Sequence, residues 1–230
     1  MLFENIFRNM KITTPVTSTF HRPQLTGLVA ILMACVITGC SDPSDQVTKA
    51  PTSAPKESAK PGAAGKTYVI QPDSTIGFVG SKVTGSHDGG FKKFSGKVSV
   101  ADAAVAAAEV KIDMDSTWSD NEKLTAHLKS PDFFDTAKFP TATFTTTDIK
   151  STSAEKTVTG NLDLHGVNKS ISFPADIQVT DNAVTVKAEF AINRKDFNIN
   201  YPGKTDDLIR DNVVLKLDIK ATPGELQVRK

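Results

Sequence analysis

Apolar and polar residues alternate along much of the chain, and a side-chain period of two puts each apolar set on one face of a β-strand. Val184, Val186, Ala188, Phe190 and Ile192 alternate with Thr185, Lys187, Glu189 and Asn193. Val213, Leu215, Leu217 and Ile219 alternate with Asn212, Lys216, Asp218 and Lys220. The same rhythm sets Val110, Ile112 and Met114 against Glu109, Lys111, Asp113 and Asp115, and Val158, Leu162 and Leu164 against Thr159, Asn161 and Asp163. Further strands are expected at 68–71, 74–82, 91–100, 141–150 and 170–179. Pro174 marks a bulge or edge, and Asp181-Asn182 a hairpin turn. The result is about eight or nine antiparallel strands, each dry on one face and wet on the other. Such sheets form sandwiches or closed barrels, and periodicity alone does not choose between them. An eight-stranded barrel is just wide enough to fill with side chains or to hold one small ligand.

Residues 119–144 (SDNEKLTAHLKSPDFFDTAKFPTATF) break this rhythm. Ser119 followed by Glu122 reads as a capping box for a helix from Asp120 to about Lys129, with Leu124 and Leu128 on one face. Ser130-Pro131 restarts a helical turn. Phe133 and Phe134 then point about 100° apart, one toward the barrel and the other under the cap. With Trp118 and Phe139, the insertion concentrates large apolar groups suited to capping an open barrel end.

The N-terminal third carries no such pattern. An apolar run at 25–37 (LTGLVAILMACVI) has the length of a signal-peptide core and follows a basic stretch with Arg8, Lys11, His21 and Arg22. It ends in Ile37-Thr38-Gly39-Cys40, which resembles a bacterial lipobox. Residues 1–39 are therefore expected to be a lipoprotein signal peptide, started at Met1 or Met10, with Cys40 acylated (palmitate included). Ser41, rather than aspartate, after the cysteine favours the outer membrane, and the chain would face the periplasm. Residues 40–66 are rich in Ser, Thr, Pro, Ala and Lys and read as a disordered tether spanning on the order of 25–30 Å. Residues 67–222 suit a single domain, and 223–230 form a C-terminal tail.

Charge and cysteine usage narrow the chemistry. The whole chain carries a net charge of +1. Removing residues 1–39 takes away Arg8, Lys11, Arg22 and Glu4, leaving a near-neutral protein without a basic cluster and unsuited to nucleic acid. Cys35, the other of the two cysteines, lies in the signal segment, so the mature domain has no disulfide. There is no G-x-S-x-G elbow and no Gly-rich phosphate loop. Asp113 and Asp115 fall on the wet face of a strand. His87, His127 and His165 lack metal-ligand spacing, and no metal or enzyme activity is expected.

HLKSPDFFD from His127 to Asp135, followed by Phe139-Pro140 and Phe144, resembles the YceI-like family. GSHDGGFKKFSG from Gly85 to Gly96, GNLDLHGVNK from Gly160 to Lys169 and FAINRKDF from Phe190 to Phe197 resemble further family segments in the same order. Asn198 departs from the family's usual glycine, and residues 201–210 form an extended loop. The resemblance implies an all-β, extended eight-stranded lipocalin-like barrel with a short helical insertion and a long apolar cavity. It also implies binding of a polyisoprenoid, an isoprenoid quinone or a similar long apolar ligand.

The inward residues are then candidate ligand contacts: Phe78, Phe94, Met114, Trp118, Leu124, Leu128, Phe133, Phe134, Phe144, Leu164, Phe173, Phe190 and Leu215, each also a plain core position. His127 is a candidate for a head group or for a structural tie, and His165 for a turn. Arg194 would contact an anionic head group or pair with Asp196 or Asp207. Three functions are compatible: a lipid-binding module, an enzyme or redox partner acting on bound quinone, and a structural envelope lipoprotein with a filled barrel. The sequence leaves the oligomeric state open, a dimer included.

Overall fold

The computed structural model describes residues 42–57, 65–152 and 155–224. The expected signal peptide and Cys40 lie outside the described residues, as does most of the expected tail. In chain order the strands are β1 (Thr48–Lys49), β2 (Thr52–Ser53), β3 (Lys66–Ile70), β4 (Thr75–Lys82), β5 (Gly85–Phe91), β6 (Phe94–Ala101), β7 (Ala104–Asp113) and β8 (Thr117–Ser119). After helix α1 (Glu122–Leu128) come β9 (Thr141–Ser151), β10 (Lys156–Leu164), β11 (Val167–Val179), β12 (Val184–Asn193), β13 (Gly203–Lys204), β14 (Asp207–Leu208) and β15 (Asn212–Pro223). Among the described residues no helix is long and apolar enough to cross a membrane.

Pairing closes the sheet. β15 joins β12 from Val184↔Ala221 to Asn193↔Asn212 on one side, and both β3 and β4 on the other. β3 and β4 are thus two halves of one barrel strand. β5 with β6, and β7 with β8, are likewise split strands, each pairing in step with its neighbour. The circuit is completed by β7 on β9, β9 on β10, β10 on β11 and β11 on β12. The described residues form a closed, eight-stranded, antiparallel up-and-down barrel, as the family resemblance implied; the alternation had given antiparallel strands without choosing between sandwich and barrel.

One end of the barrel carries the 83–84 turn, α1 and the turns up to β9, the His165-Gly166 turn and the long 194–211 connection; we call it the cap end. Among the described residues the opposite end carries Thr152 and Glu155 together with the turns at 102–103 and 180–183. Thr180 and Ala183 close the last through a 2.8 Å backbone hydrogen bond, where Asp181-Asn182 predicted a hairpin.

Two local expectations are corrected. The N-cap of α1 is Asn121, whose side chain accepts from the Leu124 amide at 3.1 Å. Ser119 is held in β8, and its hydroxyl is committed to the Asn121 carbonyl and the Thr125 hydroxyl. After α1 no second helix starts. Residues 130–139 fold as turns in which Phe133 and Asp135 donate their amides to the Ser130 carbonyl.

The larger correction concerns the expected tether. Residues 42–57 dock on the barrel wall near the cap end as a belt. β11 and β12 pair only from Asp176↔Lys187 to Val179↔Val184 and then part. β1 adds to β12 in parallel (Thr48↔Phe190, Lys49↔Ala191), and β2 adds to β11 (Thr52↔Ile171, Ser53↔Ser170). Strand edges left open waste main-chain donors and acceptors, and the belt supplies their partners. Pro174 lies where β11 has no partner on this side, and the β10–β11 register passes it unshifted, so it marks a local edge. Val47 covers an outward-facing apolar cluster of Val79, Ala191 and Val214. Asn161 holds the end of the belt, its amide exchanging hydrogen bonds with the Lys56 backbone at 2.6 and 3.0 Å.

Candidate ligand cavity

The inner faces of the strands do not meet. They enclose a cavity of about 240 Å³ that runs from Val105, Ile149 and Ile177 toward the far end to Leu128, Phe133 and Ile209 at the cap. Its lining is aliphatic and aromatic, with Thr146 and Arg194 as the polar side chains.

Ten of the residues expected in this site line it: Phe78, Met114, Leu128, Phe133, Phe134, Phe144, Leu164, Phe173, Phe190 and Leu215. Phe94 and Leu124 pack against the core without reaching the cavity. Trp118 is 37% exposed on the outside of the barrel, because its strand pairs with β5 so that Thr117, not Trp118, turns inward. His127 also lies outside the lining. Its Nε2 is 2.7 Å from Asp132, and its ring meets Phe133 and Tyr201 edge-on at 5.0 Å. This geometry ties α1 to the long 194–211 connection. His165 occupies a left-handed turn (φ 53°), its Nδ1 is 3.1 Å from the Phe197 carbonyl, and its ring packs on Phe139.

The aromatic residues divide the cavity into zones. Phe134 joins Phe78 and Phe91 in a ring cluster with centroids 5.8–6.3 Å apart inside the barrel. Phe133 joins His127 and Tyr201 beneath the cap. Adjacent phenylalanines therefore serve different layers, as expected, although a run of turns and not a helix sets them apart. Deeper in, Phe173 stacks on Phe190 at 4.0 Å. Glycines make room for two of these rings. A Cβ on Gly89 would lie 2.3 Å from the Phe78 ring, and one on Gly160 would lie 2.3 Å from the Phe144 ring. The glycines in the GSHDGGF and GNLDLHG segments thus shape the inner wall.

Arg194 pairs with neither Asp196 nor Asp207. It is buried, and its guanidinium donates to the carbonyls of Arg210 (3.0 Å), Ile199 (2.7 Å) and Ile209 (3.2 Å), with Asp211 3.7 Å away. Burial pushes its pKa down, opposed by the Asp211 charge. Three of its N–H groups hold the 194–211 connection, so it acts as a strut. Thr146 is different: it is 1% exposed, and its hydroxyl has no hydrogen-bond partner. It follows Phe144 on the inner face, one register step from the irregularity at Thr159/Gly160. The sequence signal was present, a threonine on the dry face of a strand, but threonine is so common in strands that nothing singled it out.

Among the described residues no group of three or more His, Cys, Asp or Glu is placed to hold a metal ion. A closed antiparallel barrel around an apolar cavity defines the lipocalin-like class of binding folds. The YceI-like domain model matches residues 68–221, and the chain belongs to that family. It is 33% identical over 158 residues to a UPF0312 protein of Pseudomonas putida, covering 62% of this chain and 81% of the relative. It is 37% identical over 126 residues to Protein YceI of Escherichia coli O157:H7, covering 51% and 64%. Among solved structures, BcnA of Burkholderia cenocepacia superposes with a TM-score of 0.61 at 25% identity, covering 66% of this chain and 99% of that one. A polyisoprenoid binding domain from Saccharophagus degradans superposes with a TM-score of 0.57 at 19% identity, covering 70% and 100%, a likeness of fold.

Proposed function

We propose that this protein is a lipid-binding module of the cell envelope, holding or carrying a polyisoprenoid, an isoprenoid quinone or a similar long apolar molecule inside the barrel. The observation that carries this reading is the apolar cavity itself. A barrel serving only as a structural body would fill its interior, whereas this one leaves about 240 Å³ between its walls. Apolar cavities of roughly 150 Å³ already stay dry and accept apolar guests. Each 100 Å² of ligand surface taken from water would contribute about 2.5 kcal/mol, so a chain of apolar units needs little else for affinity. The polyisoprenoid-binding description of the Saccharophagus neighbour agrees with this choice of ligand.

Arg194 is the one ionisable side chain in the lining, and three of its N–H groups are bonded to main-chain carbonyls. Binding rather than turnover is the chemistry such a wall supports. The free hydroxyl of Thr146 is the group that would meet a carbonyl or hydroxyl on the ligand. Cys40, acylated, would hold the protein to the periplasmic side of the outer membrane.

The test is organic extraction and mass spectrometry of the protein purified from its own membranes. An isoprenoid-type lipid recovered in near-equal amount with protein is expected. Protein that is lipid-free, and that takes up no isoprenoid from vesicles, would sink the reading.

A further inference from the structure

Cys40 stands two residues before Asp42, and an extended chain advances at most about 3.6 Å per residue. An anchor on Cys40 therefore lies within roughly 7 Å of the Asp42 backbone. Asp42 is fixed to the barrel. It is only 9% exposed, accepts from the Ser44 amide at 2.9 Å, and lies 3.6 Å from the Arg210 guanidinium. Arg210 in turn donates its amide to the Ser81 carbonyl at 2.9 Å, at the start of the 83–84 turn. The attachment point is thus at the cap end, with no free tether between it and the wall.

Independent of any anchor, the same end presents apolar side chains to solvent. Val83 (52% exposed), Leu208 (50%) and Trp118 (37%) are the exposed large hydrophobics among the described residues. Val83, in the 83–84 turn, and Leu208, on β14, are joined by a 3.2 Å hydrogen bond from the Val83 amide to the Leu208 carbonyl. Asp207 braces the pair, accepting from the Thr84 hydroxyl and from Lys82. Trp118 stands apart from this tip: it pairs with Gly90, which lies roughly 17 Å along β5 from the Lys82↔Gly85 pair at the turn. Among the described residues the turns of the opposite end carry no comparable group; Asp102, Ala103, Thr152, Glu155, Thr180, Asp181, Asn182 and Ala183 occupy them. A braced apolar tip costs solvation in water.

We infer that the cap end is a membrane-docking face. Val83 and Leu208 rest in the head-group layer of a phospholipid bilayer, and the belt fixes the barrel over its own anchor in this orientation. The inference rests on the lipoprotein reading for its anchor, and on the exposed tip for its contact surface. Its consequence is directional: the Phe133–Tyr201 cap faces the bilayer, so a lipid passes between membrane and cavity without exposing its chain to water.

Because Cys40 is the sole cysteine from residue 40 onward, orientation can be tested whether or not cells acylate it. The chain from Cys40 to Lys230 is coupled through that thiol to a maleimide phospholipid, in vesicles of phosphatidylethanolamine and phosphatidylglycerol in equal parts. Trp118 is the single tryptophan, so a Trp118→Phe chain carrying Val83→Trp reports the tip and a Trp118→Phe chain carrying Asp181→Trp reports the opposite end, each quenched with lipids brominated in the upper acyl chain. Several-fold stronger quenching of the Val83→Trp chain is expected, and quenching that falls when Leu208→Ser is added with an unchanged thermal midpoint. Equal quenching at both ends, or no loss on adding Leu208→Ser, would overturn the docking face. Mass spectrometry of Cys40 in the native protein is a separate arm: an unmodified cysteine refutes the lipoprotein reading and leaves the vesicle result to stand alone.

Discussion

At the scale of single residues, the cavity wall holds one group out of keeping with its surroundings. The Thr146 hydroxyl is buried without a partner, and a buried polar group left unpaired costs about 1–3 kcal/mol. Thr146→Val keeps the shape and removes that cost. The ligand-free variant is expected to gain about 1 kcal/mol or more, seen as a thermal midpoint raised by roughly 2–4 °C. If the hydroxyl meets a ligand oxygen, the same change weakens binding of a quinone or a polyprenol while leaving a plain hydrocarbon unaffected or tighter. Equal shifts for both ligands would remove Thr146 from the recognition chemistry. Arg194 makes the opposite point: sequence suggested a head-group contact, yet its three carbonyl partners are main-chain groups that no side-chain pattern announces.

At the scale of elements, strands were legible wherever one face is dry. The alternation located the cores of β7, β10, β12 and β15 because inner residues there meet the cavity while outer ones are polar, facing water or, like Asn161, the belt. β5 escaped notice: Gly85, Gly89 and Gly90 remove the side chains whose alternation would have marked it, and Gly89 is needed beneath the Phe78 ring. The insertion was legible as a helix but not in its cap, because Ser119 is claimed by β8. Gly160→Ala tests the glycine argument. A methyl 2.3 Å from the Phe144 ring is expected to destabilise the barrel by about 1–3 kcal/mol, read by chemical denaturation, with a pairing change Phe144→Leu recovering part of the loss. The 203–208 hairpin should respond to acid. The hydrogen bond from Lys82 holds the Asp207 carboxyl below its ordinary value of 3.8, with Thr84 assisting. A depressed folded pKa adds stability above the unfolded value, and that stability is lost as pH falls through the folded one. Amide exchange in the hairpin is therefore expected to quicken below about pH 4, and an Asp207→Asn variant to show fast exchange already at neutral pH.

At the scale of the whole molecule, the seam where β11 and β12 part is filled by a segment that looked dispensable. Residues 42–57 lack aromatic residues and read as a tether, since composition reports what side chains can bury. Strand addition draws instead on amides and carbonyls, which every residue carries, so the edge left where β11 and β12 part can recruit a Thr-Lys and a Thr-Ser pair with little side-chain signal. The contacts are specific even so: Ala50 donates its amide to the Ala191 carbonyl at 2.8 Å, and the Thr52 hydroxyl bonds Asp196 at 2.7 Å. Comparing the chain from Cys40 with one beginning at Gly65 isolates this contribution. Several backbone hydrogen bonds at about 1 kcal/mol each, plus the uncovered Val79–Ala191–Val214 patch, predict a loss of roughly 3–5 kcal/mol, a midpoint lower by about 10 °C. Hydrogen exchange should rise first in the cap-proximal halves of β11 and β12, while β6, β7 and β9 on the far wall keep their protection. A free tether predicts instead that both chains melt together and exchange alike. Because the same belt sets the distance from Cys40 to the cap, a weakened seam would also release the barrel from its fixed stance, so stability and orientation should fail together.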